Sequence, residues 1–363
     1  MTTLPFLLVG LLAAPLLAQD VIPSPIRPLA EFAQPFATIA GIRELPDGRV
    51  LVADSRLGEL HVIDFTTGKA EQVSRQGSGP GEFRSAGPLL PLSRDTTAMF
   101  DGPNARLLLL NAMGKPITTV PVASNQMLMF AAASAADAAG RIYSSVWIQP
   151  TDDRRVTDSA YILAYMVRSN HLDTIVAVRN SPVDMVTQQL GNGNSMTRIM
   201  EVPFAEHDDW TITTDGRVAV AVGHDYHVEY YQPGRRRTVA APTPFVGVKV
   251  TDADRDSVRA RRKARTRPGQ LVVSPEPSVW EKVMPAFPGD ALRPAPHGRL
   301  VVERSQPLAS TVRRYDVFNA SGVRQYAVTL PPMTRFMGAG STFEYAVRVD
   351  ADGQQFLERF VLR

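Results

Sequence analysis

Short apolar runs, each broken by Gly, Pro, Asn or Asp, recur along the chain from residue 42 to its end. Their spacing is that of strands and tight turns, not of helices, whose apolar positions would return about every three to four residues. The first unit is the clearest. Residues 42–45 lead into Pro46, Asp47 and Gly48, a turn with the chemistry for positive φ, and then into an apolar strand over 49–53. A third strand over 59–65 ends at a turn closed by Gly68, and 69–74 forms an outer strand.

The pattern then repeats with variations. A second unit passes a turn at Arg94 and Asp95, strands over 97–100 and 106–110, a turn over 111–114 and a strand over 117–122. The third turns over 137–140 and continues through 141–148, 161–168 and 174–178. The fourth begins at 210–213, turns on Asp215 and Gly216, and runs through 217–222 and 226–231. In the fifth, His297 and Gly298 precede 299–303, 314–318, a turn over 319–322 and a strand over 325–330. The sixth comprises Phe336, 343–349, a turn over 350–353 and 356–362. Self-similar four-stranded units at a period of roughly 40 to 50 residues are the signature of a β-propeller. The turns N-A-M-G (111–114) and N-A-S-G (319–322) fall at the same place in units two and five, as duplicated blades would leave them. The fold expected is all-β, a six-bladed β-propeller of four-stranded antiparallel blades.

The sixth unit reaches Arg363 with three strands. An unpaired blade edge invites aggregation, so the missing strand must come from elsewhere. Residues 22–32 precede the first blade and are predicted to close the last one, with Pro23, Pro25 and Pro28 restricting them to an edge position.

Composition agrees with one large domain over 19–363: 44% hydrophobic and 21% charged residues allow a substantial core, and 29 Pro and 25 Gly suit many turns. The formal charge of +3 is too mild to imply a polyanion partner by itself. With no cysteine, disulfides, thiolate metal sites, a Cys nucleophile and a lipidated cysteine are excluded. Residues 4–17 (LPFLLVGLLAAPLL) are uncharged and apolar but shorter than the roughly 20 residues of a spanning helix. They are read as the core of an export signal over 1–18, cleaved after Ala18, although no Lys or Arg precedes them. The expectation is a periplasmic or secreted monomer without a membrane span. Two linkers exceed blade spacing and are expected as insertions near 181–206 and 250–283. The second opens with T-D-A-D (251–254), a helix cap, followed by acids and then a basic run to Arg267, with Pro268 and Gly269 as the stop.

The run G-S-G-P-G-E-F (77–83) resembles the inter-blade crossing of NHL-like six-bladed propellers of exported bacterial proteins. So do L-P-D-G-R-V-L-V-A-D (45–54), T-D-G-R-V-A-V (214–220), Y-D-V-F-N-A-S-G (315–322), and D-A-D-G (350–353) with L-E-R-F (357–360). The resemblance spans most of the chain. It implies the fold, with glycines permitting a tight crossing and Phe83 wedged between blades, and carries no warrant for an activity.

Candidate chemistry is sparse. His224 and His227 have zinc-like spacing, but strand alternation puts residues three apart on opposite faces, which makes them hairpin residues. Glu206, His207, Asp208 and Asp209 immediately precede the inner strand at Trp210, near the channel, where carboxylates and a histidine could do acid–base work; a solvated loop is the plainer reading. Glu44 is an acid on an inner strand. Asp54 and Asp101 end equivalent strands and are expected to cap turns. Residues 350–353 lack the further ligands of a calcium loop. The basic stretch 255–267 has no aromatic residue for base stacking, so no nucleic-acid partner is expected. No G-x-S-x-G elbow, phosphate loop, dinucleotide fingerprint or H-E-x-x-H occurs.

The function expected is a binding or scaffold propeller that holds a protein or glycan at the channel mouth or on the insertions, with no catalytic, cofactor or metal residue assigned. The alternative is a metal-assisted hydrolase or lyase with calcium or zinc in its channel, which the likeness to gluconolactonase-like six-bladed propellers implies.

Overall fold

The two N-A-x-G turns are built alike. The Asn111 carboxamide oxygen accepts the N–H groups of Met113 and Lys115, that of Asn319 accepts those of Ser321 and Val323, and Gly114 and Gly322 take φ of 77° and 79°. Each turn satisfies its own backbone and returns the chain antiparallel. The computed structural model describes residues 21–147, 159–189, 193–232, 235–264, 277 and 279–363. The expected export signal and the helix stop at Pro268 and Gly269 lie outside the described residues.

The strands assemble into six sheets of four antiparallel strands arranged as a six-bladed β-propeller. From inner to outer, blade 1 uses Ile39–Glu44, Val50–Asp54, Glu59–Asp64 and Lys69–Arg75. Blade 2 uses Leu89–Pro91, Thr97–Asp101, Arg106–Leu110 and Pro116–Pro121; blade 3 uses Ala133–Ala136, Arg141–Val146, Ser159–Met166 and His171–Arg179. Blade 4 uses Asp209–Ile212, Val218–Val222, His227–Tyr231 and Thr238–Val239; blade 5 uses Leu292–Ala295, Arg299–Glu303, Arg314–Phe318 and Arg324–Thr329. Blade 6 takes Thr334–Ala339, Glu344–Val349 and Gln355–Phe360 from the end of the chain and Ala30–Glu31 from its start.

The closing strand pairs antiparallel with the last one, Ala30 opposite Arg359 and Glu31 opposite Glu358. Just before it, Ser24–Pro25 adds in parallel to the outer strand of blade 5, so the prolines sit at an edge as their missing N–H groups require. Phe32 and Phe36 then enter the core between blades 6 and 1.

The apolar core is not central. Among the described residues it divides into six clusters, each filled by side chains from two neighbouring blades. Phe83, fully buried, sits in the cluster between blades 1 and 2, the wedge expected from the glycine-rich crossing. Polar bolts join the same surfaces. Asp316, fully buried on blade 5, accepts from Tyr226 of blade 4 (2.9 Å), Arg304 (2.9 Å) and Arg324 (3.2 Å), and the Arg304 guanidinium also lies over the Tyr226 ring. Such a buried charge is tolerated because it is paired and hydrogen-bonded.

The long linkers add two elements. Residues 181–206 contain the hairpin Val183–Gln189 and Ser195–Glu201, and the helix Asp252–Ala264 follows Thr251. Thr251 Oγ1 accepts the Asp254 N–H while Asp254 Oδ2 accepts the Thr251 N–H, a reciprocal cap at the predicted start. Asp254 Oδ1 also accepts the Leu308 N–H, pinning the helix to blade 5.

Two predictions follow from closure. Deleting residues 22–32 exposes the Gln355–Phe360 edge and should turn a monodisperse protein into aggregates by light scattering; a soluble, fully folded truncation would mean the ring closes otherwise. Glu358, directly opposite Glu31, and Glu344, beneath the Leu362 N–H, are both pushed by burial from 4.5 to about 7. The folded protein therefore keeps protons that the unfolded chain has released. That stability is complete below about 4.5 and lost as pH climbs through about 7, so the melting temperature should fall across that window. Glu358→Gln should flatten the fall, and an unchanged profile in that variant would contradict the assignment.

Candidate functional site

All six inner strands are entered from an inter-blade crossing and left through a turn into the second strand, so their first residues gather at one end of the channel. At that end a cavity of about 1420 Å³ opens over blades 3 to 6, roofed in part by the helix Asp252–Ala264 through Val258, Arg261 and Arg262. Arg262 reaches the Glu201 carbonyl at 3.2 Å, which ties the helix to the hairpin beside it.

Of the run 206–209, His207, Asp208 and Asp209 line this cavity, and the groups of the run are largely committed to the scaffold. Asp208 accepts the N–H of Arg179 at the end of blade 3 (2.8 Å) and that of Gly223 in blade 4 (3.0 Å). Asp209 accepts the N–H groups of Ala291 (2.5 Å), Leu292 (2.9 Å) and Trp210 (2.8 Å), joining the inner strands of blades 4 and 5. Desolvation raises the Asp209 carboxyl above its usual range, against the pull of those donors. Glu206 pairs with Arg179 at 2.5 Å. His207 directs Nδ1 to the Ala205 carbonyl at 3.0 Å, which leaves Nε2 as the acceptor; that atom is buried and has no hydrogen-bond partner. The ring lies edge-on to Phe287, beside Gly289.

The remaining sequence candidates lie apart from one another. Glu44 is at the far end of its inner strand, where it accepts from Ser341 N (2.8 Å), Ser341 Oγ (2.7 Å) and the Tyr345 hydroxyl (2.6 Å), bolting blade 1 to blade 6. His224 is exposed, 3.6 Å from Glu206. His227 is mostly buried on blade 4 between Asp225 and Glu229. The two imidazoles do not converge. Asp54 caps its turn by accepting from Arg56 and Leu57 and also holds the Ala37 and Thr38 N–H groups; Asp101 holds Arg84 N, Asn104 and Arg106. Among the described residues no cluster of three His, Asp or Glu side chains is placed to hold a metal ion.

What the sequence reading missed is an arc on the inner strands. Their second residues, in ring order from blade 1, are Ala40, Leu90, Ser134, Trp210, Arg293 and Arg335. The last three, from adjacent blades, all line the cavity. Arg293 pairs with the exposed Asp290 at 2.6 Å, Arg313 with Glu303, and Arg335 is exposed. Arg293 and Arg335 are equivalent, opposite Val301 and Val347 on the face toward the following blade, whereas Trp210, opposite Val220, packs on the cluster shared with blade 3.

Asp209→Ala should leave two inter-blade N–H groups without an acceptor and cost about 2–4 kcal/mol in urea unfolding, with Asp209→Asn losing less. A loss under about 0.5 kcal/mol in both would show that those bonds do not hold the blades.

No family model matches the chain, and no curated relative matches it. Among solved structures it is similar to a member of the DUF4221 family from Bacteroides vulgatus, with 8% identity, TM-score 0.48, and 94% of this chain and 97% of that one covered. A protein described as exported, from Bacteroides fragilis, aligns at 12% identity and TM-score 0.46 over 95% of both chains. Virginiamycin B lyase from Staphylococcus aureus aligns at 8% identity and TM-score 0.43, over 93% of this chain and 99% of that one. The propeller assignment rests on the strand topology itself.

Proposed function

We propose that the protein is an exported, NHL-like binding propeller that holds a ligand in the cavity at the channel mouth over blades 3 to 6. The observation that carries this reading is the cavity itself, about 1420 Å³, concave, and bounded by side chains from four blades and an inserted helix. Concave sites at the mouth of a closed β fold, lined by polar as well as apolar side chains, are where such folds take ligands. The apolar run over 4–17 supports export. No helix among the described residues is long and apolar enough to cross a membrane. A binding role asks for no cofactor. A metal-assisted hydrolase or lyase would instead draw on acids at the mouth, and Asp208 and Asp209 spend their oxygens on backbone N–H groups.

The test uses a mixed array of neutral and charged glycans and peptides, probed with residues 19–363. Hits are expected to disappear in Ala309→Trp, which fills the cavity from an exposed lining position while leaving the melting temperature unchanged. Hits that survive the plug would move the binding surface elsewhere. Stoichiometric calcium or zinc in the purified protein would favour the enzyme.

A further inference from the structure

We infer that the seam between blades 3 and 4, where it opens at the channel mouth, holds an uncharged sugar ring, so that the ligand of the cavity is a neutral oligosaccharide with its other rings beneath the helix Asp252–Ala264. The inference rests on the binding reading above and adds the ligand's chemical class and the place where one ring is seated.

The two tryptophans of the cavity set the walls. In blade 3 Val146 pairs with Tyr161, so the next residue, Trp147, stands level with Ala160. Strand alternation puts Trp147 on the face of Tyr143, the face packed against blade 4. Trp210 packs on the same cluster from the blade 4 side. Ala160 and Val178, small members of that cluster, line the cavity together with both tryptophans. The cavity therefore reaches into the seam between the two blades, and both tryptophans there are half-buried.

The polar side chains at this place are neutral and uncommitted. Ser145, on the face of Trp147, and Asn180 and Ser181, just beyond Val178, all line the cavity. Among the described residues no hydrogen bond engages any of these three side chains, whereas Asp208 and Asp209 nearby spend their oxygens on backbone N–H groups. Charge favours no ion. The guanidinium groups of the cavity share it with Glu201, Asp208, Asp209, Asp290 and Glu303, and a lining in which the signs balance draws neither anions nor cations.

A pyranose matches this set. Its C–H faces lie against aromatic and aliphatic surface, while the hydroxyls around its edge both donate and accept. Serine hydroxyls and a carboxamide also do both, so each sugar hydroxyl meets a partner whichever way it turns. An aromatic ring would fill the same walls but strip water from Ser145, Asn180 and Ser181 without replacing its hydrogen bonds.

The experiment is calorimetric titration of residues 19–363 with maltotetraose, cellotetraose and tetra-N-acetylchitotetraose, and with tetragalacturonate, a tetra-alanine peptide blocked at both ends and indole as contrasts. Tryptophan emission is followed in parallel. One of the three neutral tetrasaccharides should bind more tightly than every contrast, change the emission as it binds, and keep its affinity from low to high salt. Asn180→Ala should lower that affinity about fivefold with an unchanged melting temperature. Trp147→Ala should lower it about tenfold or more, and Trp147→Phe less. Tighter binding of tetragalacturonate, the peptide or indole, affinity retained in both Asn180→Ala and Trp147→Ala, or no binding of any neutral tetrasaccharide would overturn the inference. If Ala309→Trp abolishes binding while Asn180→Ala and Trp147→Ala do not, the cavity stands as the site and the seam falls. If binding survives all three substitutions, the cavity reading falls as well.

Discussion

A blade cannot bury its own faces, and the whole molecule depends on that. Each of the six apolar clusters is made by two neighbours, so every blade needs one on both sides. A linear chain laying down sheets in order would leave its first and last blades half covered. The return of residues 30–31 to the last blade removes that defect, with more than hydrogen bonds: Phe32 and Phe36 fill the final cluster against Tyr345, Val347 and Leu357. Apolar burial across the seam, and not the two-residue pairing alone, holds the ring shut.

Closure was legible because it is a counting argument. The sixth unit reaches Arg363 with three strands and needs a fourth, and residues 22–32 ahead of the first blade had no other role. The blades were legible because period-two runs and Asx-Gly turns are local signals that tertiary context rarely overrides. What stayed hidden were elements without such signals. The inner strands Leu89–Pro91 and Leu292–Ala295 are short, with no alternation to read, and the helix Met127–Ala131 is a single turn of apolar residues between blades 2 and 3. The hairpin within 181–206 was visible only as surplus length.

The candidate site was half legible for a related reason. The acids of 206–209 lie at the entry to the inner strand Asp209–Ile212, and the attraction of that spot for carboxylates is architectural. Where the chain crosses between blades, several N–H groups lose their sheet partners together, and a buried donor must be paired. Asp54, Asp101, Asp208 and Asp209 each answer that need at a strand end. A dense acidic motif beside a propeller channel is therefore first a backbone acceptor. Arg293 and Arg335 escaped notice because their equivalence exists only once the start of each inner strand is known, and crossings of unequal length conceal it.

Ring closure also explains how one side of the mouth could specialise. The fold is maintained at the blade interfaces, to which some of the second residues of the inner strands belong, as buried Leu90 does, and the cavity lies over the half of the ring that bears Trp210, Arg293 and Arg335. The insertions fall on that same half. Asp254 fastens the helix to Leu308 of blade 5, and Arg262 fastens it to the hairpin between blades 3 and 4, so both insertions border the cavity. The arginines that line the cavity share it with Glu201, Asp208, Asp209, Asp290 and Glu303, and opposite charges gathered in a concave site act through a medium that screens them less than water does. Chemical selectivity at this mouth is then a property of where the insertions land, not of the repeat that builds the ring.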